Sequence, residues 1–73
     1  MDWTSCPDVE SKPNVMSGVP VVVGTRVPAD AIIEHAKSGY SAKDIVTEIF
    51  PSVSLSRAER IIDFARHHVP RAA

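Results

Sequence analysis

Helix-breaking residues divide residues 28–70 of the chain into three short segments. Pro28, Gly39 and Pro51 interrupt this stretch, and Pro70 closes it. Because proline lacks a backbone N–H and glycine readily adopts a left-handed conformation, one continuous helix cannot run through these positions. Between the breaks, apolar residues recur every three or four positions, which is the period of a helix with one buried face. The sequence therefore predicts three short amphipathic helices that pack on one another.

The first two segments carry clear start and stop signals. Pro28 suits the first turn of a helix, and Gly39 suits the position just after its end. Ser41 followed by Asp44 resembles a capping box, and Pro51 ends the second helix. The residues expected to face inward are Ala29, Ile32, Ile33 and Ala36 in the first helix, and Ile45, Val46, Ile49 and Phe50 in the second.

The third segment has the longest apolar stripe and two alternative starts. Its N-cap is either Ser54, or Ser56 with Glu59 three residues later. Its apolar arc comprises Leu55, Ala58, Ile61, Ile62, Ala65 and Val69. We expect this helix to be the main element of the core.

The first 27 residues differ from the rest in composition. Prolines at positions 7, 13 and 20 keep this part out of helix, and the β-branched run Val19–Val23 predicts a strand. Residues 9–11 are its expected antiparallel neighbour, and Cys6 is expected to be a half-buried strand residue. The predicted fold is mainly α: a three-helix, helix-turn-helix-like bundle (residues 28–69) behind an N-terminal arm and β-ribbon (residues 1–27), together forming one domain.

Size and composition narrow the classes of function. A chain of 73 residues buries only about 60% of the surface that its unfolded form exposes, so we expect a homodimer or another partner. No apolar run approaches the roughly 20 residues of a membrane span, which favours a cytoplasmic protein without membrane contact. With one cysteine, no disulfide can form within the chain.

Charge is unevenly distributed along the chain. Residues 1–25 contain three acids and one lysine, whereas residues 50–73 contain four arginines and two acids. The overall net charge of −1 argues against binding nucleic acid by bulk attraction. Any anion-binding face is expected near the C-terminus.

The triplet Gly24-Thr25-Arg26 lies where the predicted strand meets the first helix. One glycine ahead of Thr-Arg does not make a phosphate loop, which needs several glycines and usually a Lys-Ser/Thr pair. Gly24 can adopt a positive φ, Thr25 can bond to the local backbone, and Arg26 can hold carbonyls or a carboxylate of a neighbouring element. We interpret the triplet as a structural corner, with partner contact as the alternative.

Catalysis finds little support in the sequence. His67 and His68 are adjacent and point about 100° apart on a helix, so they cannot clamp a metal as an i, i+4 pair would. Cys6 has no base defined by a sequence motif, and no nucleophile elbow occurs. We expect neither enzymatic activity nor a cofactor or metal.

The spacing of several motifs resembles a known bacterial family. "ESKPNVMSGVPVVVGTRVPADAII", followed by "SGYSAKDIVTEIFPSVSLSRAERIIDFARHH", is similar to small proteins catalogued as domain of unknown function four-three-three. The matching positions are Gly18, Pro20, Gly24-Thr25-Arg26, Pro28, Gly39, Ser41, Phe50-Pro51 and Ser54. The chain departs from the pattern at Arg57, where members often carry an acid; this favours Ser56 with Glu59 as the cap, or a cation that serves a partner.

The resemblance implies a helix-turn-helix-related fold, often dimeric, and a role as a VapB-type antitoxin encoded beside a PIN-like ribonuclease toxin. An arginine inserted among the toxin's acidic residues would inhibit it, with Arg57, Arg66 and Arg71 as candidates. Simple steric blockade, or docking of the arm (residues 1–13) as an added strand, are the alternatives.

DNA reading is the competing interpretation, either of the antitoxin's own operator or as a stand-alone helix-turn-helix regulator. The candidate DNA contacts are Lys43, Arg57, Arg60, Arg66 and Arg71. Glu59 and Asp63 lie on the same face of the third helix and would repel phosphates, so useful affinity would need two copies.

Overall fold

The computed structural model describes residues 2–68. Two short strands, β1 (Val9–Glu10) and β2 (Val21–Val22), precede the helices α1 (Ala29–Lys37), α2 (Ala42–Asp44, continued by a π-helical turn over Ile45–Ile49) and α3 (Leu55–His68). The fold is mainly α with a small N-terminal β-ribbon, as the sequence predicted.

The ribbon attaches the first part of the chain to α1. Strand β1 pairs with β2 in antiparallel register, with Val9 opposite Val22. The Val22 N–H donates to the Val27 carbonyl at 2.9 Å, which closes the turn that leads into α1. Both strands are shorter than predicted, because a turn with positive φ at residues 16–18 precedes β2 and another turn begins at Val23. Val21 and Val22 are fully buried, so even this small ribbon contributes to the core.

Helix α1 has the predicted boundaries and buried face. Pro28 precedes it with ψ 134°, and Ala29 and Ile32 are fully buried. Ile33 and Ala36 are half-buried at the edge of the core. Gly39 follows the helix with φ +103°, a conformation that costs other residues about 1–2 kcal/mol.

Helix α2 begins as predicted but widens after one turn. The Asp44 N–H donates to the Ser41 hydroxyl at 3.1 Å, which confirms the predicted cap. The Phe50 N–H then donates to the carbonyl of Ile45 at 2.7 Å, five residues back, instead of four. This π-helical turn was not predicted, since the apolar spacing alone does not distinguish it from an ordinary helical turn. Ile45 is fully buried, and the other predicted inward residues are half-buried.

Ser54 caps helix α3, and the preference for Ser56 with Glu59 as the cap is wrong. The Arg57 N–H donates to the Ser54 hydroxyl at 3.3 Å, and the helix starts at the next residue, Leu55. The sequence argument failed because it treated the Arg57 side chain as an unpaired cation at a helix start, whereas its guanidinium donates to the Val23 carbonyl at 3.1 Å.

The buried face of α3 matches the prediction over the described residues except at its first residue, Leu55. Ala58 and Ile61 are fully buried and Ala65 nearly so. Leu55, expected to face inward, is 42% exposed, because as the first residue of the helix it extends past the end of the core. Val69 lies outside the described residues.

The arm is part of the core. The Trp3 side chain is 4% exposed, its indole N–H donates to Asp30 at 2.9 Å, and its ring stacks on Phe64 with centroids 5.6 Å apart. Cys6 is also 4% exposed, so it is buried, and it lies outside the strands, which corrects the prediction of a half-buried strand residue.

Candidate functional site

Gly24 and Thr25 build a tight corner between β2 and α1. Gly24 has φ +77°, and its N–H donates to a carboxylate oxygen of Glu10 at 3.0 Å. The Thr25 hydroxyl donates to the Val22 carbonyl at 2.9 Å and accepts the Val27 N–H at 3.0 Å. The predicted positive φ and local backbone bonding are therefore confirmed for these two residues.

Arg26 does not form the predicted clamp. Its side chain is exposed, and within residues 2–68 it has no hydrogen-bond or ion-pair partner. The neighbouring carboxylate, Glu10, is occupied by the Gly24 N–H and by Lys12, whose Nζ lies 3.5 Å from its second oxygen. The bond from Gly24, more than the charge of Lys12, lowers the pKa of Glu10.

Asp8 holds two arginines of α3. Arg60 donates through Nε and one terminal nitrogen to the two oxygens of Asp8, each at 2.9 Å. The Nε of Arg57 lies 3.4 Å from one of the same oxygens. The bonds from Arg60 lower the pKa of Asp8 against the opposing effect of burial, and Asp8 raises the pKa of Arg60. We call these three residues the Asp8 cluster.

The Asp8 cluster is the feature that sequence reasoning missed. Asp8 lies 49 and 52 positions before its two partners, so no local spacing indicates the contact. A single acid after Pro7, in an arm whose path was not predictable, gave no signal of its own.

The predicted DNA contacts do not come together as one unpaired basic face. Arg57 and Arg60 belong to the Asp8 cluster, whereas Lys43 on α2 and Arg66 on α3 are exposed. Arg71 lies outside the described residues. Glu59 and Asp63 are exposed on α3, as the sequence analysis expected.

A shallow groove runs between α1 and α3. We define the α1–α3 groove by Ile33, Ala36, Tyr40, Ile62 and Arg66, which line two adjoining concavities of about 580 and 210 Å³. Ala36, Ile62 and Arg66 line both. The tyrosine is 43% exposed, and Glu59 and Asp63 stand at the wall of the larger concavity.

His35 and His67 make only local contacts. His35 contacts the rings of Tyr40 and Phe50 edge-on, each with centroids 5.6 Å apart. His67 is exposed, with Nδ1 2.8 Å from the Asp63 carbonyl oxygen. Within residues 2–68, no group of three or more His, Cys, Asp or Glu side chains could hold a metal ion. No described helix has the length and apolar character needed to cross a bilayer.

These features define a class: a small, mainly helical module whose N-terminal arm closes the core and whose exterior carries a groove with apolar, aromatic and arginine side chains. The chain belongs to a family described as protein of unknown function DUF433, whose model matches residues 9–65. No curated protein and no solved structure matches it. Trp3, Cys6 and Asp8 precede the matched range, although all three are buried.

Proposed function

We propose that this protein is an antitoxin-like, cytoplasmic member of a toxin–antitoxin pair, which binds and neutralises a PIN-like ribonuclease toxin. Two arguments support the proposal. The motif spacing resembles antitoxins of the VapB type, and the α1–α3 groove has the composition of a protein-binding surface. The groove is the observation on which the proposal chiefly depends.

Several properties of the groove favour a protein over a nucleic acid. The floor of its smaller concavity is mainly apolar, whereas the larger concavity is lined by apolar and polar groups in about equal measure. Tyr40 and Arg66 belong to residue types that are enriched among those dominating binding energy at protein interfaces. Glu59 and Asp63 line the same concavity and would repel phosphates. A folded protein surface can cover the apolar floor and pair with both signs of charge.

Of the two arginines considered for insertion into a toxin's acidic site that lie within residues 2–68, Arg57 and Arg66, only Arg66 is left available by the fold. Arg57 already donates to Val23 and lies beside Asp8, so inserting it would break those contacts. Arg66 is exposed at the edge of the groove, and no described residue pairs with it. We therefore assign Arg66 to contact with the toxin.

Co-expression with the adjacent reading frame tests this function. The expected result is a stable complex that suppresses cleavage of RNA by the partner. Ile62→Asp and Arg66→Glu should each weaken the complex at least tenfold, because both changes fall within the groove. Lys43→Glu, an exposed charge change on α2, is the matched control and should leave the complex intact. A complex indifferent to both groove variants, or the absence of any complex, contradicts the proposal.

A second function, operator binding by a dimer, has one observation in its favour. Helix α2, the connector of residues 50–54 and the Ser54-capped α3 follow one another in the order of a helix-turn-helix. Two copies placing α3 about 34–36 Å apart would reach successive major grooves. In this arrangement Lys43→Ala should reduce the salt dependence of DNA binding in a mobility-shift assay. Arg60→Ala should weaken DNA binding mainly because it destabilises the fold. A mobility shift that changes neither with salt concentration nor with the Lys43→Ala substitution counts against DNA reading.

A further inference from the structure

The corner at residues 22–27 fixes its backbone more firmly than a surface turn requires. Thr25 bonds to the backbone on both sides of the corner, at Val22 and Val27, and those two residues bond directly to each other. Glu10 adds a fourth bond, to Gly24. Arg26 therefore projects from a backbone that is held in place before any ligand arrives.

Arg26 itself contributes no hydrogen bond to this arrangement. Two other arginines, Arg57 and Arg60, satisfy their donors largely on Asp8 and Val23. Arg26 has no such partner within residues 2–68, and its planar guanidinium presents five donors to solvent. A side chain on an ordered backbone loses less entropy on binding than one on a flexible loop.

The surroundings of Arg26 form a concave surface with a small excess of positive charge. A depression of about 380 Å³ is lined by Glu10, Lys12, Val15, Arg26 and Ser52 among others. Each oxygen of Glu10 already has one partner, the Gly24 N–H or the Lys12 ammonium group, and Glu10 makes no bond to the Arg26 guanidinium in this arrangement. One further carboxylate would balance the remaining charge.

We propose that Arg26 is an anchor for a single carboxylate of a partner protein, on a surface separate from the α1–α3 groove. The guanidinium fork matches a carboxylate with two parallel hydrogen bonds. A nucleic acid fits this place poorly, because its neighbouring phosphates would approach Glu10. The inference rests on the proposed function in one respect, that the partner is a protein.

The test is a titration of the full chain with hexaglutamate peptide, followed by NMR at the Arg26 Nε–H and at the amides of Gly24 and Thr25. We expect saturable shifts at these positions. Binding should weaken about 1.5- to fivefold in Arg26→Gln, which is the range for an exposed ion pair, and less in Arg26→Lys. Lys37→Gln, which removes an exposed cation at the end of α1, is the matched control and should leave the shifts at Arg26 unchanged.

Stability measurements separate this role from a structural one. The melting temperature of Arg26→Gln should stay within about 4 °C of the wild type, because no contact is lost. A larger fall in melting temperature overturns the proposal. A titration without shifts at Arg26 also overturns it, and so does a short DNA duplex that shifts these signals more than the peptide does. The titration requires no toxin, so its failure leaves the co-expression result intact, and a failed co-expression leaves the titration valid.

Discussion

Replacing Asp8 tests whether the arm is held to α3 by charge as well as by packing. The Asp8 side chain is only 7% exposed and accepts two hydrogen bonds of 2.9 Å from Arg60, with Arg57 3.4 Å away. Asp8→Asn keeps the size of the side chain but removes its charge, and it turns an amide N–H₂ towards donors. The variant therefore leaves the two guanidinium groups with one neutral acceptor oxygen at this position in place of a carboxylate, while the packing of the arm is preserved.

The magnitude follows from the exposure of the partners. Hydrogen bonds between charged groups contribute about 1.5–3 kcal/mol when they are shielded from water, and exposed ion pairs about 0.2–1 kcal/mol. The carboxylate is buried, whereas the Arg60 side chain is 55% exposed, so an intermediate value applies. We expect Asp8→Asn to lower the free energy of unfolding by about 1–2 kcal/mol. For a domain of this size the melting temperature should fall by about 4–16 °C.

Thermal unfolding followed by circular dichroism measures this effect. Asp63→Asn, which neutralises an exposed acid on α3, is the matched control and should change the stability by less than about 0.5 kcal/mol. If Asp8→Asn melts at the temperature of the control, the cluster contributes nothing and the reasoning is refuted.

The pH dependence of stability gives an independent check. The folded pKa of Asp8 lies below its ordinary value of 3.8, so the cluster's contribution is fully present above that value. It is lost as the pH falls through the lower, folded pKa, because the unfolded chain binds the proton more readily. The difference in stability between wild type and Asp8→Asn should therefore be constant near neutral pH and shrink below about pH 4. A difference that grows on acidification would contradict this assignment.

Two further substitutions test the arm and the start of α3. Trp3→Phe keeps a ring against Phe64 but removes the indole N–H that donates to Asp30. Chemical denaturation should therefore show that the free energy of unfolding falls by about 1–2 kcal/mol. Asp2→Asn should change the free energy of unfolding little. Ser54→Ala should lower the free energy of unfolding by about 1 kcal/mol through loss of the cap, whereas Ser56→Ala should leave it nearly unchanged. Equal effects of the two substitutions would contradict the assignment of Ser54 as the cap.

The elements that local chemistry determines were predictable from the sequence. The caps at Ser41 and Gly39 and the buried stripe of α1 depend on residues within one or two turns of each other, so spacing alone indicates them. The widened turn after Ile45 depends on how α2 packs, and apolar spacing does not encode it.

The contacts of the arm could not be predicted for a different reason. Trp3 meets Asp30 and Phe64, and Asp8 meets Arg57 and Arg60, across 27 to 61 positions of sequence with no periodic pattern between them. Such contacts depend on the path that the irregular N-terminal segment takes over the surface of the packed helices. The candidate site was therefore only partly visible: Gly24 and Thr25 were assigned to the corner correctly, whereas the different situations of Arg26 and Arg57 required the structure.

The Asp8 cluster changes how the uneven distribution of charge along the chain is interpreted. From the sequence, the basic residues of the C-terminal third suggest an anion-binding face, and Arg57 and Arg60 are half of the four arginines there. Because the carboxylate of Asp8, from the opposite end of the chain, lies between these two, it balances one of the two excess positive charges of residues 50–73. A phosphate approaching this part of α3 would have to compete with Asp8 for donors and would also meet Glu59 and Asp63.

Arg26 and Arg66 carry no such internal partner within residues 2–68, and both lie beside acidic residues that a protein can accommodate more easily than a nucleic acid can. This distribution of paired and unpaired arginines favours a protein as the primary partner, with DNA bound, where it is bound, through a second copy of the chain.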